Sequence, residues 1–192
     1  MSRHQWLAAL TAAGLAATVI AAPAAGAAAR PSCPSPTKAD IRKSDATRSD
    51  HPPKGATALR GVRVGYLPGG FAYGQVTVAR HDGLTEYSYL WSDNRDDVAP
   101  GHRSLSVRVI CWPRAKKLSQ LRDAPFYVGT FPHEVVRTAT IGGRRVLVQE
   151  GDGALGAGRQ VGWVEREGVV VTVTASTPLV PRLGRIVRGI KL

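Results

Sequence analysis

From Gly61 onward, apolar and polar positions alternate with a period of two. Val62 and Val64 flank Arg63, and Val76 and Val78 alternate with Gln75 and Thr77. His81-Asp-Gly-Leu84 then supplies Asp-Gly, a strong hairpin signal. Tyr87, Tyr89 and Trp91 share one phase, and so do Leu105, Val107, Val109 and Cys111 after a long loop. Val135, Ala139 and Ile141 precede Gly142-Gly143, a second two-residue turn, and Val146 and Val148 follow it. Val161 and Trp163 lead through Glu165-Arg-Glu-Gly168 to Val169, Val171, Val173 and Ala175. Alternation joined by tight turns predicts about eight antiparallel strands, mostly a meander.

Two segments follow the helical period instead. Pro113–Asp123 opens on a first-turn proline and spaces Ala115, Leu118 and Leu121 three apart. In Pro178–Ile190, Leu179, Val180, Leu183, Ile186, Val187 and Ile190 form one apolar stripe. Arg182, Arg185 and Arg188 lie off that stripe, and Thr177 can cap its start. Pro181, Gly184 and Gly189 weaken this helix, so it needs a sheet to lean on. The predicted class is α+β: an antiparallel sheet with two helices, about 113–123 and 178–190, packed on one face.

The N-terminal third reads differently. Met1–Gln5 carries Arg3, Trp6–Ala22 is uncharged, and small A-x-A patterns follow up to Ala29. That order predicts a secretory signal peptide over 1–29, cut between Ala24 and Ala29. The alternative is a retained membrane anchor, since the apolar run exceeds the ~20 residues a span needs. Residues 30–60 are rich in Pro, Ser, Thr and charge, with one Ile, one Leu and no aromatic residue. Too little apolar surface is available to order them, so a disordered linker is predicted, followed by a single domain over 61–192. Such a chain is secreted or associated with the cell envelope.

Two cysteines, Cys33 and Cys111, remain in the exported part. Arg30, Pro31 and Ser32 directly before Cys33 argue against lipid attachment. An even count in an oxidising compartment predicts one disulfide between them, and pairing between molecules is the alternative.

Four stretches taken in order carry a resemblance: Val64-GYLPGG-Phe71, the hairpin TIGGRRVLV, the hairpin GWVEREGVVVTV around Trp163, and the closing LVPRLGRIVRGI. Over Gly61–Leu192 the chain resembles small exported cell-envelope domains of unknown function. It is similar to the extracytoplasmic domain of some Gram-positive anti-sigma regulators. The resemblance implies an envelope location and supplies no catalytic residues.

Three fragments mimic reactive motifs. Gly151-DGAL-Gly156 matches a dinucleotide fingerprint, but strand-like sequence follows where a helix must meet the pyrophosphate. His133-EVV-Arg137 lacks the second imidazole of a zinc helix. Ser92-DNRD-Asp97 lacks the glycine and distal glutamate of a calcium loop. No metal or cofactor is expected, and no catalytic residue stands out.

Charge is the remaining signal. The chain carries +12 at pH 7, or +11 without Arg3. A basic exported protein meets acidic wall polymer, anionic membrane surfaces or another envelope protein. Specific nucleic-acid binding is not expected, because no motif or aromatic platform accompanies the charge. The expected role is an exported, non-catalytic binding domain, with Arg182, Arg185 and Arg188 as the anionic-partner face. The alternative is a secreted hydrolase with a site assembled across loops.

Overall fold

Alternating strands build an eight-stranded antiparallel sheet in the computed structural model, which describes residues 32–93, 95, 99, 101–126, 129–131, 135–151 and 158–192. The expected signal segment 1–29 lies outside the described residues. The main strands are β1 (Ser49–Asp50), β3 (Tyr73–His81), β4 (Leu84–Ser92), β5 (Ser104–Cys111), β6 (Arg137–Ile141), β7 (Arg144–Glu150), β8 (Gly158–Arg166) and β9 (Val169–Ser176). A separate two-stranded sheet is formed by β2 (Arg63–Val64) and β10 (Ile190–Lys191), which follows β9 in the chain. The sheet order is β1-β3-β4-β5-β9-β8-β7-β6. The expected meander is therefore two meanders, joined where β5 and β9 pair antiparallel at the centre.

The hairpins follow their turn residues. Asp82-Gly83 and Gly142-Gly143 all have positive φ, as a two-residue turn that matches strand twist requires. Period-two alternation then sends Tyr87, Tyr89, Trp91, Val107, Val109, Val171, Val173 and Trp163 into one core layer. Ile110, Leu147 and Val170, in the opposite phase, enter a smaller layer on the other face with Leu121, Phe126 and Phe131.

The helices depart from expectation in extent and in place. Within 113–123 only Leu118–Arg122 is helical, as a 3-10 turn. Gln120 accepts the Lys116 and Lys117 amides at 2.8 Å each and donates to the Arg114 carbonyl, so the earlier part is held as a loop. The segment 178–190 begins as a 3-10 helix, Thr177–Arg182, because Pro181 lacks an N–H and disfavours the α conformation of the preceding residue. Helix α2 follows at Leu183–Gly189. Thr177 does not cap it. The flanking Ser176 hydroxyl accepts the Ser104 amide instead. The two segments are not on one face: Leu121 packs in the smaller layer, and Leu183, Ile186 and Val187 pack in the larger one.

The largest correction concerns the predicted linker. Ser32–Leu192 forms one compact unit, and helix α1 spans Lys38–Asp45 inside it. Thr37 and Asp40 form a capping box that starts this helix. Ala58 and Leu59 are buried. The segment is ordered by polar bonds to buried aromatic tips, which a count of apolar side chains does not register. The Tyr87 hydroxyl donates to Asp40 at 3.0 Å and accepts the Arg60 amide. The Tyr89 hydroxyl donates to Asp50 at 3.0 Å and accepts the Lys54 amide. Trp91 Nε1 donates to the Lys54 carbonyl at 2.6 Å.

A covalent tie completes the anchorage. Cys33 and Cys111 form a disulfide, with Cα atoms 5.8 Å apart across a sequence separation of 78. It fastens the segment to the end of β5. Peptide mapping without reductant is expected to recover the linked pair, and Cys33→Ser is expected to cost up to ~4 kcal/mol in denaturant unfolding, the chain-entropy value for a loop of this size.

The same contacts set a pH window. Burial alone would raise the Asp40 carboxyl, but bonds from Thr37 and Tyr87 with the Lys54 charge hold it below its ordinary 3.8. Asp50 is likewise lowered, with Lys43 and Tyr89 outweighing burial. Burial and the Asp40 neighbour push the Tyr87 phenol up to about 12, and Tyr89 is raised in the same way. The depressed carboxyls stabilise fully above their unfolded value, and that contribution fades as pH falls through the folded one. The raised phenols stabilise fully below their ordinary 10, and that contribution fades as pH rises through the folded value. Urea midpoints are expected to plateau between about pH 5 and 9 and fall on both sides. Asp40→Asn is expected to shrink the acid limb, and Tyr87→Phe the alkaline one.

Candidate functional site

The three arginines singled out in the sequence lie together on the C-terminal helical segment. Arg182 closes the 3-10 turn, Arg185 and Arg188 lie on α2, and all three are exposed. Beneath them Leu183, Ile186 and Val187 are buried against the sheet. The β6–β7 hairpin fixes the helix from below. A Cβ at Gly142 would sit 2.6 Å from the Gly184 carbonyl oxygen and 2.7 Å from the Arg188 amide, so only glycine allows this approach. Arg144, two residues on, donates to the carbonyls of Val187 at 2.7 Å and Ile190 at 2.8 Å. Its guanidinium lies over the Trp163 ring and pairs with Glu165 at 3.1 Å. A cation thus sits at the helix C-terminus, where the backbone dipole favours it.

Strands β2 and β10 add two more cations. Their register sets Lys191 directly opposite Arg63, both exposed. Like charges facing each other across an antiparallel pair oppose the pairing. No carboxylate pairs with Arg63, Arg182, Arg185, Arg188 or Lys191 among the described residues. The reason lies in the sequence: neither His51–His81 nor Gly168–Leu192 contains an Asp or Glu. Tyr66 contributes an aromatic face, with the Arg185 guanidinium 4.0 Å above its ring.

A second feature lies on the other sheet face. Beyond the Phe126–Phe131 cover, the strands leave a groove of about 290 Å³ floored by small polar side chains. At its inner end Arg108 Nη1 donates to Glu86 at 2.8 Å, and Arg108 Nε donates to Thr172 at 3.0 Å. Burial lowers the guanidinium from its ordinary value, and the Glu86 carboxylate opposes that. Glu86 also meets His81 Nε2 at 2.9 Å, and His81 Nδ1 faces Asp82 at 3.3 Å. Burial would lower the His81 imidazole, but the two carboxylates outweigh it and raise its affinity for the proton. Both ring nitrogens of His81 are thus directed at carboxylates, which favours its protonated form.

His102 and Asp93 form another buried contact, at 2.9 Å. Asp93 also accepts the Arg95 and Arg103 amides, and these bonds with His102 overcome burial to lower its carboxyl. Its oxygens are spent on closing the loop after β4. Of the motif-like fragments, residues 152–156, 133–134, and 94, 96 and 97 lie outside the described residues. Arg137 in β6 reaches Glu150 at 3.4 Å. Among the described residues no group of three or more His, Cys, Asp or Glu is placed to hold a metal ion.

The fold and these two surfaces define a disulfide-tied α+β domain with one cationic end and one polar groove. No family model, curated protein or solved structure matches the chain. The groove escaped sequence reasoning, although a signal was present: Thr77, Ser88, Ser106, Thr172 and Thr174 occupy the phase opposite the aromatic and valine core. Glu86→Ala is expected to destabilise by ~3–5 kcal/mol in urea unfolding, because it strands a buried guanidinium. The double change Glu86→Leu with Arg108→Met is expected to recover most of that loss.

Proposed function

We propose that this is an exported, non-catalytic domain that docks on an anionic surface, either an acidic wall polymer or anionic membrane headgroups. The observation that carries the reading is the set of five exposed cations that have no carboxylate partner among the described residues, one pair of them set in direct opposition. An anion laid across Lys191 and Arg63 relieves that repulsion. The Cys33–Cys111 disulfide supports an oxidising compartment, in keeping with a signal peptide over 1–29 and with the resemblance to anti-sigma extracytoplasmic domains. The hydrolase alternative requires an imidazole nitrogen aimed at a nucleophile, which His81 does not offer, since both of its nitrogens are turned to carboxylates. Another envelope protein remains a partner of the same kind if its docking face is acidic.

Polyanion binding by such a set of cations releases counterions, so it weakens steeply with salt. Retention on acidic wall polymer and on vesicles containing anionic lipid is expected at low salt and lost as salt rises. The triple variant Arg182→Gln, Arg185→Gln, Arg188→Gln is expected to weaken retention and flatten the salt slope with an unchanged urea midpoint. Wild-type protein that passes both matrices freely at low salt would refute the reading.

A further inference from the structure

The groove on the opposite face differs in chemistry from the cationic end. Cross-strand register aligns its floor in two rows. One runs Thr77, Ser88, Arg108 and Thr172, and the other runs Leu90, Ser106, Thr174 and Gln160. Both cross strands towards β8, and five strands span ~19 Å at the usual interstrand spacing. The Thr and Ser side chains between Arg108, Gln160 and Leu90 are short, so the floor stays open at about 290 Å³, close to the ~300 Å³ lower bound of small-ligand sites.

The floor carries little net charge, since its one buried cation is paired with Glu86. The hydroxyls of Thr77, Ser88 and Ser106 have no hydrogen-bond partner among the described residues. Each can both donate and accept. Leu90 and Ala79 add small apolar patches beside them. At the far side Gln160 is held by its bond to the Gly129 carbonyl at 2.6 Å, and Thr174 donates to its other end at 3.3 Å. Gly129 has a positive φ, and a Cβ there would collide with Gln160, so the rim depends on that glycine.

We infer that this groove binds an uncharged oligosaccharide a few rings long. Sugar hydroxyls donate and accept as the floor hydroxyls do, and the apolar face of a pyranose suits Leu90 and Ala79. A peptide is a poorer match, because the strand backbones beneath the groove are already committed to the ladder and leave no edge to pair with. An anionic ligand would find the one buried guanidinium among the described lining residues already paired with Glu86.

The test is titration of the disulfide-intact protein with maltotriose and with triacetylchitotriose, followed by amide chemical shifts. Saturable binding of at least one, at millimolar concentration or below, is expected, with shifts centred on β4, β5 and β9. Ser88→Ala and Ser106→Ala are each expected to weaken it about fivefold, the loss of one hydrogen bond. Ser106→Met, which fills the floor, is expected to abolish it. Added salt and the triple arginine variant are expected to leave it unchanged, which separates this site from the cationic end. The inference is overturned if neither saccharide saturates, if the groove variants bind as wild type does, or if trialanine amide competes equally well.

Discussion

Three aromatic side chains in one row of one strand govern how the rest of the chain is placed. Tyr87, Tyr89 and Trp91 are fully buried on β4, and each carries a polar tip into the core. A buried hydroxyl or indole N–H without a partner costs on the order of 1–3 kcal/mol, so three such tips create a strong demand for partners. Residues 37–60 meet it with two carboxylates, two amides and a carbonyl. The row thereby recruits a polar segment that has almost no apolar surface of its own. The disulfide at Cys111 keeps that segment within reach.

The sheet uses its two faces for different ends. One is closed by aromatic and valine side chains, α2 and the N-terminal segment. The other is half covered by Phe126 and Phe131 and half left as a hydroxyl-lined groove. The Glu86–Arg108 pair stands at the border between them. It lets a charged row sit beside an apolar one, because each ion is hydrogen-bonded and neither faces the core alone.

The cationic end is held in place by separate contacts. Helix α2 has seven residues, too short to persist alone. It is held by its buried stripe, by the close approach of Gly142 and by the Arg144 bonds to its last carbonyls. Arg63 and Lys191 are fixed against it through the short β2–β10 pair. The backbone that carries the five cations is therefore held by buried contacts.

Strand phase, hairpin turns and the outward set of arginines were legible in the sequence, because they depend on local periodicity and on residues that tolerate positive φ. The cysteine pairing was legible as one of two alternatives, from the even count and the expected export. What only the tertiary structure decided depends on contacts between distant residues. Asp40 and Asp50 look like ordinary linker acids until Tyr87 and Tyr89 are seen above them. The β5–β9 pairing that joins the two meanders has no local signature. Neither does the splitting of the helical segments between opposite faces, since a helical stripe shows that a side is buried but not against which layer. The groove came from the polar phase of several strands aligned by register, and register between non-consecutive strands is a property of the folded sheet alone.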